Sequence, residues 1–202
     1  MLKTFLKKTS KDEKFWFWFK KNANLYFHFE NNQNILFERL KNKLDKVDTN
    51  LVFEFSNILE DGKREFVISA DGIEESFPSV IKLVKQAPNF EKWKIIAFRQ
   101  PRKEITHINY ENLVINFESV FFKYHKNNGR IDLELHLQGF YESAEWTTAI
   151  FILLDNVLGE YHTEMTLGFI DKKVLNINEK QKLFPISKLS KILQDYYLEL
   201  NN

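Results

Sequence analysis

A strand–strand–helix–strand pattern occurs twice in this chain, and no other feature constrains the fold as strongly. Phe66–Gly72 reads FVISADG, and 67 positions later Leu133–Gly139 reads LELHLQG. The apolar residues of each run predict a strand, and each run ends in glycine ahead of a helical stretch. The same order of elements in two places predicts an α+β protein built from two ββαβ units, at about 51–100 and 113–171, that arose by duplication.

The elements of the two units are predicted from the spacing of apolar residues. The first unit has two strands, a helix and a third strand at 51–55, 65–70, 77–84 and 93–98. The second has a long strand, a returning strand, a helix and a last strand at 113–124, 131–137, 143–157 and 160–170. Pairing of the two halves would cover exposed strand edges, so we expect one domain over 1–202 with a single six-stranded, mainly antiparallel or mixed sheet faced by helices.

A helix is also expected near the N-terminus, where Ser10 can cap a segment with five consecutive aromatic residues, Phe15–Phe19. Side chains of five successive helical residues point in every direction, so some of them must meet a second surface. Either this helix packs between the sheet and a neighbouring helix, or Trp16 and Trp18 contribute to an exposed face for a partner. Flanking lysines make a membrane-surface anchor the third alternative. Further helices are predicted at 32–47 and 186–200.

The composition excludes several classes of site. The chain has no cysteine, which excludes disulfides, thiolate metal sites and thiol nucleophiles, and its six glycines are scattered singly, unlike a phosphate-binding loop. We therefore expect neither a cofactor nor a metal. A net charge of +1 argues against a nucleic-acid partner. The longest apolar run, 149–154, is far shorter than the roughly 20 residues that span a bilayer. Residues 1–14 lack the apolar stretch of a signal peptide, which predicts a cytoplasmic protein.

Two charged clusters follow predicted strands. Asp71 and the two glutamates after it precede a helix, where acids complement the helix N-terminus, and the alternative is metal binding or general-base chemistry. Arg99, Arg102 and Lys103 follow the strand at 93–98. These basic residues either form a solvated edge that discourages strand pairing or bind an anionic group or an acidic partner.

A third cluster, Asp155 and Glu160, lies on either side of Gly159, where a helix meets the next element. Gly159 is predicted to adopt the left-handed conformation that ends many helices, with Asp155 satisfying nearby backbone groups. A catalytic carboxylate role for Asp155 or Glu160 is the alternative.

Several motifs resemble those of a known family. The stretch from Glu65 to Arg102 contains ISADG at a strand end, AP at a helix end and WKIIAFR in a strand. Together with FILLDNVLGEY at 151–161 and FWFWF at 15–19, these motifs resemble an uncharacterised family of bacterial cytosolic proteins. The resemblance implies a cytosolic bacterial protein and adds no catalytic residue.

The sequence favours a non-enzymatic protein-binding or regulatory module, such as an immunity or adaptor protein, because no catalytic constellation is recognisable in it. The first alternative is a small hydrolase that uses Asp71, Asp155 or Glu160 in a cleft between the two units. A buried carboxylate pair beside an arginine in a concave pocket would favour that enzyme. The second alternative is an RNA-binding sheet, which requires aromatic residues exposed on an open sheet face beside lysine or arginine.

Overall fold

The computed structural model describes residues 9–102 and 104–200, which form two compact units. The first unit ends at Phe98 and the second begins at Arg99. Residues 1–8 lie outside the described residues, and they include most of the N-terminal segment that predicts a protein without a signal peptide. Lys103 of the basic cluster also lies outside the described residues. Within the described part of the chain, no helix is both long and apolar enough to cross a membrane.

The first unit contains a three-stranded sheet and three α-helices. Strand β2 lies in the middle of the sheet, antiparallel to β1 and parallel to β3. Short 3₁₀ helices precede α2 and α3. The elements in chain order are α1 (Lys11–Phe27), α2 (Gln33–Leu44), β1 (Val52–Phe55), β2 (Arg64–Ser69), α3 (Phe77–Lys85) and β3 (Trp93–Ala97).

Aromatic side chains form the core of the first unit. Ser10 begins α1 as predicted, because its side chain accepts a hydrogen bond from the Glu13 N–H and Glu13 bonds back to the Ser10 N–H. The helix then buries Phe19, whose ring centroid lies 4.9 Å from that of Phe66 on β2. Packing of this kind confirms the prediction that α1 lies against the sheet, although Phe17 remains 65% exposed.

The second unit contains a hairpin, a four-stranded sheet and three α-helices. The hairpin pairs β4 with β5, and the larger sheet has the order β8-β7-β6-β9. Its core is mainly aliphatic, with Leu133, Leu135 and Leu137 of β7 buried in the same apolar cluster as α4 and α6 residues. The elements are β4 (His107–Tyr110), β5 (Leu113–Asn116), β6 (Val120–Asn127), β7 (Arg130–Leu137), α4 (Ala144–Leu158), α5 (Glu160–Thr166), β8 (Leu167–Val174), β9 (Phe184–Pro185) and α6 (Leu189–Leu200).

The two units share the predicted ββαβ order, and their strands pair in the same sense. Strand β6 is antiparallel to β7 and β8 is parallel to β7, as β1 and β3 are to β2. Gly62 and Gly129 both adopt positive φ in the turn between the first two strands, and Gly72 and Gly139 do so after the second strand. The α+β class is therefore confirmed, and a common origin of the two units stays a prediction.

The expectation of one six-stranded sheet is wrong. The described residues form three separate sheets of three, two and four strands. A strand that the sequence does not predict, β4, lies between the two units of the pattern, and within it only Ile108 is buried, opposite Ile115 of β5. The long strand expected at 113–124 is interrupted by a 3₁₀ turn at Phe117–Ser119, whose first N–H donates to the Thr106 carbonyl.

The predicted last strand at 160–170 is also wrong, because its first part is α5. The buried residues of that helix are Glu160, Thr163 and Thr166, which recur at helical spacing but are polar. A search for apolar periodicity therefore cannot detect this helix. The strand itself, β8, runs from Leu167 to Val174.

Replacement of the two tryptophans of α1 by phenylalanine should have unequal effects on stability. Trp16 Nε1 donates to the buried Leu83 carbonyl at 2.8 Å, so Trp16→Phe leaves that carbonyl without this partner and should cost about 1–3 kcal/mol. The buried Nε1 of Trp18 has no partner among the described residues, and its ring lies beside Arg39 and Lys43. Trp18→Phe should therefore cost less than about 1 kcal/mol. Urea unfolding of both variants tests this order, and equal losses would contradict it.

Candidate functional site

Three of the residues singled out in the sequence lie together where α4 meets α5. Arg99 Nη1 is 4.0 Å from Asp155 Oδ2, and the Arg99 N–H donates to Glu160 Oε2 at 3.2 Å. The Glu160 N–H donates in return to the Arg99 carbonyl at 3.0 Å. The structure thus brings one buried and one partly buried carboxylate beside an arginine, but neither lines the two pockets described below, whereas the hydrolase alternative requires the pair in a concave pocket. Both carboxylates belong to the second unit, whereas Asp71 belongs to the first.

Glu160 is fully buried, and its carboxylate accepts a backbone N–H. A buried carboxyl group needs such partners, because a polar group without hydrogen bonds is destabilised in a protein interior. The two reciprocal bonds fix the first residue of the second unit against the start of α5. This arrangement gives Glu160 a clear structural role.

Burial raises the pKa of Asp155 from 3.8 to about 6. The Glu160 carboxylate raises the pKa further by repulsion, while Thr163 and Arg99 act in the opposite direction. The Asp155 side chain is 18% exposed, so water reaches it only in part. A carboxyl group with such a pKa exchanges protons near neutral pH, and this property of Asp155 favours a role as a catalytic acid or base.

Gly159 allows the segment after Arg99 to approach the α4–α5 junction closely. Its φ is +82°, and a Cβ at this position would lie 2.9 Å from Pro101 Cδ and 3.2 Å from the Arg99 carbonyl oxygen. Nearby, the Arg102 N–H donates to the Asn156 carbonyl at 2.8 Å. The chain from 99 to 102 is therefore tied at both ends to the end of α4 and the start of α5.

The remaining candidates lie in the first unit. Asp71 is exposed, has a φ of 53°, and donates its N–H to Ser69 Oγ in the turn after β2. Trp16 is buried and Trp18 is half-buried on α1. Because Trp16 is buried, it contributes to no exposed face, and of the two tryptophans only Trp18 is partly accessible.

A groove of about 800 Å³ lies beside the 99–102 segment in the second unit. It is formed by one side of α6, the end of α4, His162 of α5 and the segment around Arg102. Neither Asp155 nor Glu160 is among the described residues that line it. The sequence points to this region through Arg102 alone.

A second, smaller depression of about 300 Å³ lies between α4, α5 and β8. Two exposed aromatic residues line it, Phe151 of α4 and Phe169 of β8, together with Arg130. We call this surface the Phe169 depression. Phe169 is held in place because its N–H donates to Asp132 Oδ1 at 2.8 Å. Sequence reasoning missed the surface, since alternation in a strand does not tell which face stays exposed.

Several of the side chains that an RNA-binding sheet would need are engaged in other contacts, whereas Phe169 of β8 stays exposed. In the first unit, the rings of Phe55 and Phe66 pack against Tyr26 and Phe19 of α1. In the four-stranded sheet of the second unit, Lys123 and Lys173 both pair with Glu134. Hydrogen bonds from Lys173, and from His136 and Lys123, lower the pKa of Glu134 to about 2. Among the described residues, no group of three or more histidine or acidic side chains could hold a metal ion.

Gly159→Ala should destabilise the protein more than Gly139→Ala does. Both glycines have positive φ, but a Cβ at 139 meets open space whereas one at 159 meets Pro101 and Arg99. Gly139→Ala should cost about 1–2 kcal/mol from the left-handed backbone alone. Gly159→Ala should cost at least about 3 kcal/mol, since its backbone is close to the region reserved for glycine and the contact adds to the strain. Urea unfolding followed by circular dichroism measures both losses of stability. Equal losses would show that the contact of the new Cβ with Pro101 and Arg99 adds no strain.

Asp155→Asn should change how stability depends on pH. The folded protein binds the Asp155 proton more tightly than the unfolded chain does, so this stabilising contribution is present below about pH 4 and is lost as pH rises through about 6. Asparagine cannot ionise. As the pH rises from 4 to 7, the free energy of unfolding of the variant should therefore increase by up to about 3 kcal/mol relative to that of the natural protein. Denaturant unfolding at both pH values is the measurement, and a constant difference between the two proteins would refute the assigned shift.

The chain was compared with known proteins at the level of family, sequence and structure. No family model matches it, no curated protein matches it, and no solved structure matches it. The resemblance to an uncharacterised bacterial family stays a prediction that rests on the motifs quoted above.

Proposed function

We propose that the protein is a non-enzymatic module that binds another protein through the Phe169 depression. The observation that carries the proposal is the exposure of Phe169, which is 71% accessible at the rim of a cavity that Phe151 and Arg130 also line. Aromatic residues and arginine are enriched at protein interfaces, and a few such residues provide most of the binding energy. The proposed role is that of an adaptor or immunity protein, and the resemblance noted above supports a bacterial cytoplasm as its location.

The geometry of β8 supports recognition at this place. Strand β8 is at the edge of the four-stranded sheet, next to β7. Gly168 leaves room for Asp132, whose Oδ1 would lie 2.1 Å from a Cβ at that position. Asp132 therefore reaches the Phe169 N–H and holds this backbone in place before a partner arrives. A pre-organised anchor loses less conformational entropy on binding than a mobile one.

The hydrolase alternative is supported by Asp155, whose pKa lies near 6 beside Arg99. Its second carboxylate, Glu160, accepts the Arg99 N–H in the interior and holds the chain in position. The two acids also lie outside the lining of the groove and of the Phe169 depression among the described residues. These contacts support a structural use of the pair, and we therefore propose binding as the function.

Phe169→Ser should abolish partner capture, and Ile177→Ser should preserve it. The two side chains are 71% and 75% exposed, so neither substitution removes buried packing, but only Phe169 lines the depression. Loss of an interface anchor costs about 2 kcal/mol or more, which corresponds to roughly thirtyfold weaker binding. The measurement is affinity capture from the native cell, with quantitative mass spectrometry of the proteins retained by each variant.

The matched pair of variants distinguishes specific binding from non-specific adsorption. A protein retained by the natural chain and by Ile177→Ser, but not by Phe169→Ser, is the expected result. Loss of that protein with both variants would indicate non-specific apolar adsorption and contradict the proposal. Equal retention by all three proteins would place the partner surface elsewhere.

A further inference from the structure

We infer that the partner protein binds the Phe169 depression with an extended segment, which pairs as an additional strand with the free edge of β8. This inference rests on the proposed function and adds the kind of segment that the site recognises. Recognition of this type combines main-chain hydrogen bonds to a sheet edge with pockets for alternate side chains of the added strand. The structure offers both components next to each other.

Strand β8 is the longest strand at a sheet edge in the described part of the chain. It has eight residues, whereas the other edge strands have between two and five. One side of β8 pairs with β7, and no described strand pairs with its other side. The N–H and C=O groups along such an edge are complementary to the backbone of another extended segment.

Every second residue of β8 directs its backbone groups to the free edge. Just after the strand, the Leu175 N–H donates to the Leu137 carbonyl of β7 at 2.9 Å. Backbone groups alternate between the two sides of a strand, so the even-numbered residues of this part of β8 point away from β7. The Lys172 N–H agrees with this direction, because it donates to Asp171 Oδ1 at 2.9 Å. The residues that face the free edge are Ile170, Lys172 and Val174.

The Phe169 depression lies along the same edge. Among its described lining residues, five belong to β8 and three to α4, whereas β7 supplies Arg130 alone. The depression is therefore a groove between β8 and α4. A strand added to β8 would direct every second side chain to the α4 side of the sheet. Apolar side chains at those positions would cover Phe151 and Phe169, which are exposed, and removal of this surface from water favours binding.

Two features of β8 limit which segments can pair with it. The strand carries Lys172 and Lys173, and its ladder with β7 is irregular between Ile131 and Leu133. Lysines and irregularities at a sheet edge discourage pairing with unselected strands. Backbone pairing alone is therefore insufficient, and selectivity comes from the side chains that enter the groove.

The probe for this inference is a phage-displayed library of random dodecapeptides, selected on the intact protein. We expect the selected peptides to share alternating apolar residues and to bind the protein in fluorescence anisotropy. N-methylation of single peptide residues should weaken binding about threefold to tenfold at alternate positions, where the N–H pairs with β8, and should have little effect in between. Failure to select a peptide, or weakening without this alternation, would overturn the inference.

Val174 provides a matched pair of variants. Its side chain is 60% exposed and is not among the described residues that line the depression. Val174→Ala keeps the N–H at the free edge and should bind the selected peptides as the natural protein does. Val174→Pro removes that N–H and should weaken binding about threefold to tenfold. An edge strand tolerates proline where the N–H faces away from the sheet, and circular dichroism confirms that each variant is folded. Equal binding by the two variants would contradict strand pairing.

Capture from the native cell separates this inference from the proposed function. Loss of the captured protein with both Phe169→Ser and Val174→Pro would support both. Loss with Phe169→Ser and full retention by Val174→Pro would keep the proposed function and overturn strand pairing. Retention by Phe169→Ser would overturn the proposed function and this inference with it. Analytical ultracentrifugation tests a second copy of the chain as the occupant, and a dimer that Val174→Pro dissociates would overturn the inference.

Discussion

The second unit depends on one buried exchange of hydrogen bonds, in which the Arg99 peptide group and Glu160 each donate to and accept from the other. The exchange is possible only because Gly159 has no side chain, since a Cβ there would meet Pro101. It joins the first residue of the second unit to the first residue of α5. A carboxylate that could have served as a catalytic group is thereby used to position the backbone.

The two units build the same ββαβ order on different cores. In the first unit, aromatic rings fill the core, and the ring centroids of Phe55 and Trp93 lie 4.8 Å apart. In the second unit, the core consists mainly of aliphatic side chains of the strands and of α4. The main difference in topology is α5, which lies between α4 and β8 where the first unit passes from α3 to β3 without such a helix. This additional helix contributes His162 to the groove and Thr163 to the Phe169 depression. The unit with the extra element is thus the one that carries both candidate surfaces.

Local rules predict most elements and little of the site. Ser10, the Asn128–Gly129 turn and the alternation in β7 each depend on neighbouring residues, so the sequence alone locates them. The sequence does not predict helix α5, because the buried face of this helix is polar. Its first residue, Glu160, is bonded to Arg99, which lies 61 positions earlier in the chain. The sequence signals Arg99, Asp155 and Glu160 as candidates but cannot show that they meet. It gives no sign that Phe169 stays exposed, since exposure depends on the packing of other elements.

The Glu160 contact also bears on how the protein can be divided. Compactness places the boundary between the units after Phe98, yet the Arg99 N–H that Glu160 accepts belongs to the peptide bond between Phe98 and Arg99. A polypeptide starting at 99 would replace that amide with a charged amino terminus whose hydrogens have no fixed direction, next to a carboxylate in the interior. The second half expressed alone therefore needs at least Phe98 ahead of it, so that this amide is kept. The place where the packing divides and the place where the chain can be cut are different.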